Sequence, residues 1–255
     1  MDGVRFSLLG GPDAGPADED RLFDLYRYPA GLNSPLVRGN AITSLDGGAT
    51  TDGTSGGLGG PGDRELFGTL RELADVVVVG AGTARAENYG GARMSETQRD
   101  RRRRRGQAEV PPIALVTRSG DLGSDLLVLT DSDVPPLVLT CADAAPDVHR
   151  RLGAGAEVMA ASGADPAQVD LSVALRRLSE RGLNRVLTEG GPSLLGSFLA
   201  ADLLDEMCLT VAPVLVGGPA IRVSAGPAEV LTRMDRAHLL TDDEGYLYAR
   251  YRRTR

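Results

Sequence analysis

A chain of 255 residues with 42% hydrophobic content can bury a full core, as one large α/β domain or two small ones. Its net charge of −7 argues against general binding to nucleic acid or to an anionic membrane, so an anionic ligand needs arginines in particular places. The cysteines, Cys141 and Cys208, suit neither a zinc motif nor a disulfide framework, and no apolar run or secretory start is seen; a reducing cytoplasm is expected.

Residues 1–35 are rich in Pro and Gly and read as an N-terminal extension, with one amphipathic helix in "DEDRLFDLYRYP" that packs Leu22, Leu25 and Tyr26. Residues 36–255 read as a single domain. A strand in "RGNAITSLDGG" runs into a glycine-crowded loop, then comes a helix, "DRELFGTLRELA", and an apolar strand, "DVVVVG". The unbroken Val76 to Val79 run predicts a strand covered on both faces, as in a parallel sheet. "GAGTARAENYG" is a second strand-turn-helix candidate. Residues 94–110, with Arg101 to Arg105 in succession, read as a solvated, mobile loop in preference to a nucleic-acid patch.

Further strands are expected at "PIALVT", "PLVLT" and "EVMA", a helix at "LSVALRRLSERG", and a long strand at "EMCLTVAPVLVGG". The Asp-Glu-Gly turn of "AHLLTDDEGYLYARYRR" predicts a terminal antiparallel hairpin with Tyr246, Tyr248 and Tyr251 alternating along one strand. The expected fold class is α/β: three layers, α-β-α, around a mixed, mostly parallel sheet.

The stretch "RVLTEGGPSLLGSFL" carries the most chemistry. Val186 and Leu187 have strand character, Gly190 and Gly191 tolerate positive φ, and Pro192 suits the first turn of a helix. The first N–H groups of that helix lack partners and carry partial positive charge, which favours a phosphate. A tight turn that simply needs glycine is the competing reading. Neither the P-loop nor the Gly-x-Gly-x-x-Gly spacing is present.

"SLDG" at 44–47, "SGGL" at 55–58, "LADVVVVGAGTARAE" at 73–87, "TEGGPSLLGSFLAADLLDE" at 188–206 and "APVLVGG" at 212–218 occur in that order. Together they resemble the pyrimidine reductase domain of riboflavin biosynthesis, the RibD C-terminal domain family, over about residues 36–250. The resemblance implies a fold similar to dihydrofolate reductase, NADPH as cofactor, a homodimer, and reduction of a phosphorylated pyrimidine substrate, a phosphoribosylamino-pyrimidine, to its ribitylamino product. The zinc deaminase motif of many bacterial relatives is missing, and only His149 and His238 occur.

Residue by residue, the resemblance assigns Gly190, Gly191, Pro192, Ser193, Leu194, Leu195, Gly196 and Ser197 to the NADPH phosphate cradle. Ile42, Gly57, Gly80, Thr83 and Glu87 match other cofactor-facing positions, with glycine at 57 in place of a bulkier neighbour and glutamate at 87 in place of aspartate. Thr117, Arg118 and Ser119 fall where NADPH-selective contacts lie, and an arginine with two hydroxyls suits a ribose 2′-phosphate. Ser55, Arg71 and Arg93 match substrate contacts, the arginines those to phosphate and sugar. Glu189 matches a substrate-facing carboxylate and stands at a strand's carboxyl end, where α/β sheets place ligand chemistry; its alternative is a cap on nearby backbone N–H groups. Asn40 replaces a lysine of some relatives and hydrogen-bonds without charge. Asp46 is expected to bind turn backbone. Two other functions stay open: reduction of a pterin, and NADPH binding without turnover.

Overall fold

The computed structural model describes residues 4–254 apart from 52 and 124. Its strands are β1 (Phe6–Leu8), β2 (Gly15–Ala17), β3 (Leu36–Thr43), β4 (Val76–Gly80), β5 (Ile113–Thr117), β6 (Leu137–Thr140), β7 (Glu157–Ala160), β8 (Arg185–Thr188), β9 (Glu206–Val211), β10 (Met234–Thr241) and β11 (Leu247–Arg253). The helices are α1 (Glu19–Tyr26), α2 (Pro61–Leu73), α3 (Ala81–Ala86), α4 (Glu96–Arg104), α5 (Leu127–Thr130), α6 (Ala145–Leu152), α7 (Leu171–Ser179) and α8 (Pro192–Ala200).

The strands form one sheet in the order β2-β1-β10-β11-β9-β3-β8-β4-β5-β6-β7. From β9 through β7 every pairing is parallel, and the four strands beyond β9 are antiparallel. The chain leaves β3 outward through β4 to β7, then returns to insert β8 between β3 and β4. That reversal leaves the carboxyl ends of β3, β8 and β4 as the natural ligand crevice.

Alternate side chains of β4 explain its unbroken valine run. Val77 and Val79 join Leu66, Leu70 and Leu73 of α2 in one core, while Val76 and Val78 join α7 and α8 in the other. Each buried valine contributes about 1.5–3 kcal/mol. The mixed, mostly parallel sheet between helices and its terminal hairpin agree with the expectation.

Three other expectations change. The N-terminal extension is built into the body: β1 and β2 extend the sheet's antiparallel end, and Phe6, Leu8, Leu22 and Tyr26 enter the core. The arginine run expected as a mobile loop is α4, opened by a capping box between Ser95 and Gln98. Arg102 is buried and donates to Glu72 O at 2.7 Å and Ala74 O at 2.6 Å, supplying the carbonyls at the end of α2 with donors. Arg101 and Arg105 bind the buried Glu72 carboxylate. The run is therefore a clamp between helices.

The long strand expected at 206–218 stops at Val211, since Pro213 lacks an N–H and Gly217 and Gly218 take positive φ. β9 lies between β3 and β11, so it is no sheet edge. The exposed Val214, Leu215 and Ile221 lie instead on the irregular segment 212–233. Among the described residues no helix is long and apolar enough to cross a membrane, and no cluster of metal-ligating side chains occurs.

Beside α1 the sheet buries a charged cluster. Arg38 and Arg250 both bind Glu206, at 2.7 and 2.6 Å, and also donate to the α1 carbonyls of Tyr26 and Leu25. His238 packs edge-on against Tyr26, with ring centroids 4.7 Å apart. Burial, then Arg250 and Arg38, push its pKa down to about 4. The unfolded chain, titrating near about 6.5, takes up this proton before the folded one does. Stability linked to His238 is thus present at neutral pH and falls as pH drops from about 6.5 towards 4. His238→Gln is expected to flatten this limb of the urea-midpoint profile; parallel wild-type and variant profiles would reject the assignment.

Candidate active site

β8 ends at Thr188, Glu189 follows, and Gly191 caps α8. The Glu189 N–H donates to Val78 O at 3.0 Å and the Gly80 N–H to Gly190 O at 2.7 Å, which holds the turns after β8 and β4 side by side. Gly190 has φ +83°, and the Gly190–Gly191 peptide is cis. A Cβ on Gly191 would lie 2.1 Å from Thr83 Oγ1, so the close approach of the two turns requires glycine there. In front of them lies a cavity of about 450 Å³. Asn40, Ile42, Asp63 and Phe67 line it, as do Ile221 and Val223 from the irregular segment.

Glu189 is the cavity's most constrained acid. Its side chain is 2% exposed, and Arg71 forks onto it, Nε to Oε1 and Nη2 to Oε2, each at 2.7 Å. The Tyr89 hydroxyl donates to Oε2 at 2.6 Å. Burial, then the Glu189 charge, raises the Tyr89 pKa well above its ordinary 10, so the phenol remains a donor. Burial would lower the Arg71 pKa, but the carboxylate outweighs it and the guanidinium stays charged. Arg71 also lies 4.2 Å over the Phe67 ring, a cation–π contact that fixes its plane. Glu189 is therefore an ion-paired acceptor and not a backbone cap.

Asn40, Ile42, Ser55, Thr83, Glu87, Glu189, Gly190, Gly191, Pro192 and Leu195 come together around the cavity. Glu87 Oε1 accepts the Ser55 N–H at 2.8 Å, tying the glycine loop to α3. Gly80 stands directly behind the Gly190–Gly191 turn. Asp46 accepts the N–H groups of Val216 and Gly217, and with the Ser44 hydroxyl they lower its pKa to about 2, in agreement with a structural role.

Other assignments fall elsewhere. Arg71, matched to a substrate phosphate, is committed to Glu189 because the last turn of α2 faces the end of β8. Arg93 lies outside the cavity, half-exposed and paired with Asp131 and Asp133. Gly57 sits against Thr51, where a Cβ would lie 2.1 Å from its hydroxyl. Along α8, Ser193 and Ser197 are exposed, Leu194 points into the core, and Gly196 abuts the Ala225 carbonyl. Thr117 is buried, its hydroxyl accepting the Gly120 N–H, while Arg118 and Ser119 line a separate hollow of about 390 Å³ with Cys141 and Asp143. The sequence reading passed over Asp63, Arg64, Phe67 and Tyr89. All four line the cavity, and nothing local distinguishes them from ordinary helix or turn residues.

The chain matches the family model of the RibD C-terminal domain over residues 35–248. It is 30% identical over 184 residues to the 2,5-diamino-6-ribosylamino-4(3H)-pyrimidinone 5′-phosphate reductase of Methanothermobacter thermautotrophicus, covering 72% of this chain and 80% of that one. It is 29% identical over 201 residues to the riboflavin biosynthesis protein RibD of Mycobacterium tuberculosis, covering 78% of this chain but only 48% of that relative. A solved pyrimidine reductase-like protein of Corynebacterium diphtheriae superposes with a TM-score of 0.75 at 29% identity, over 92% of this chain and 99% of that one. The fold is thus the α/β arrangement expected, helices packed on both faces of a mixed sheet, and it is shared with this pyrimidine reductase-like protein. With the family model spanning nearly the whole sheet and the cavity at its carboxyl edge, the chain belongs to the RibD C-terminal domain family.

Proposed function

We propose that the protein is an NADPH-dependent reductase of a phosphoribosylamino-pyrimidine, acting in riboflavin biosynthesis. The observation that carries this reading is that Glu189, clamped by Arg71 and by Tyr89, lines the same cavity as the Gly190–Pro192 turn. A phosphate of NADPH suits that turn, because the close approach that glycine permits at 191 brings the Thr83 hydroxyl beside the backbone at the start of α8, donors that favour an anion. The Gly191 N–H and the Thr83 hydroxyl would hold the phosphates, with Pro192, which has no N–H, packing beside them, and Arg118 and Ser119 the 2′-phosphate end. A hydride for the imine carbon C1′ of the ring-opened ribosylamine is the chemistry the bound nicotinamide supplies. Glu189, with Arg71 forked onto it, accepts a substrate N–H or O–H and orients the ring, and Asn40 adds a neutral hydrogen bond.

A second reading, reduction of an unphosphorylated pterin, is favoured by one feature. Arg71 is engaged and Arg93 lies outside, which leaves Arg64 as the arginine lining a cavity that also presents Asp63, Glu87 and Glu189. NADPH oxidation by the purified protein, followed with the phosphoribosylamino-pyrimidine and with a dihydropterin, separates the two readings. Failure with both would reject the enzyme assignment. Gly191→Val is expected to weaken NADPH binding by more than tenfold, about 1.4 kcal/mol or more, because the added branch meets Thr83. Unchanged affinity by calorimetry would remove the cradle argument.

A further inference from the structure

Among the described residues the cavity is lined by three carboxylates, and their partners differ. Glu189 is held by Arg71 and Tyr89, and Glu87 by the Ser55 N–H. Asp63 accepts the Thr210 hydroxyl but has no arginine forked onto it among the described residues; Arg64 acts on it only through its field. Its position follows from the chain around it. Gly62 packs so tightly that a Cβ would lie 2.3 Å from Tyr248 Oη and 2.5 Å from Asp242 Oδ2, which seats the first turn of α2 against β11 and leaves Asp63 on the cavity wall.

A carboxylate presents two parallel acceptors, and its best neutral partner is an edge with two adjacent N–H donors. A 2-amino-4-oxo-pyrimidine offers this edge through its exocyclic amine and ring N3–H. A 2,4-dioxo-pyrimidine instead places a carbonyl beside N3–H, so one carboxylate oxygen would face a lone pair. We infer that Asp63 is a specificity-determining residue that pairs with the 2-amino and N3–H edge of the substrate ring, and so selects the pyrimidine that has not been deaminated. The inference rests on the pyrimidine reductase reading. Burial raises the Asp63 pKa against the pull of Thr210 and Arg64, as expected for an acid awaiting donors in a sheltered site.

The test compares two phosphoribosylamino-pyrimidines that differ only at C2, amino against oxo. Turnover is measured with NADPH and binding by calorimetry with oxidised cofactor present. Wild type is expected to prefer the 2-amino ring by roughly tenfold or more. Asp63→Asn replaces one acceptor with a donor and is expected to reverse the preference, while Asp63→Ala removes it; cofactor affinity and thermal midpoint report folding in both variants. Equal handling of the two rings by wild type, no binding of either, or a preference that survives in both variants overturns the inference. Discriminating binding without turnover upholds Asp63 and rejects the reductase reading alone.

Discussion

Glu206→Ala is expected to destabilise the fold by about 3–5 kcal/mol, the usual result of removing one partner from a buried ion pair. Arg38 is wholly buried and Arg250 is 2% exposed, so the variant leaves two guanidiniums facing each other across β9 with no anion between them. Burial works to raise the Glu206 pKa, yet Arg38 and Arg250 outweigh it and hold the carboxyl below its ordinary value. Glu206→Gln keeps the shape and loses the charge, so it is expected to cost somewhat less. Urea unfolding at neutral pH measures both. A loss under about 1 kcal/mol for the alanine variant, the range of exposed pairs, would mean that water reaches the cluster. The cluster also docks α1 through its last carbonyls, so protease cleavage near the N-terminus should accelerate in step with the stability loss.

The features legible in the sequence are those whose cause is local. Val76 to Val79 read correctly because a two-sided strand leaves no polar alternation, and the hairpin at 234–253 because its turn residues lie between its strands. The Glu189–Pro192 turn read correctly because glycine and proline mark a strand giving way to a helix. Where the cause lies far along the chain, the reading failed. Nothing near Arg102 shows that it will satisfy carbonyls at Glu72 and Ala74, so a structural clamp looked like a solvated charge run. β1 is too short to declare itself, and its partner β10 begins more than two hundred residues later. The same blindness affected the site: Arg71 and Glu189 are 118 positions apart, and the resemblance gave each a separate substrate role.

Arg71→Ala is therefore expected to act as the loss of a positioning cation and not as the loss of a phosphate contact. It strands a carboxylate that is 2% exposed with the Tyr89 hydroxyl as its remaining donor among the described residues, at a cost of about 3–5 kcal/mol in stability. Under the proposed reduction, kcat should fall and KM rise, because an unclamped Glu189 no longer keeps the single carboxylate orientation that the Arg71 fork sets in the cavity. Adding Glu189→Gln to the variant replaces the orphan charge with a neutral amide of the same shape. The double variant should regain about 1–3 kcal/mol over Arg71→Ala, a coupling within the range for residues in direct contact. A residue that only gripped a substrate phosphate would behave differently: KM alone would rise, unfolding would be unchanged, and the second substitution would recover nothing. That outcome would return Arg71 to the substrate and require that the Arg71–Glu189 fork opens when substrate enters.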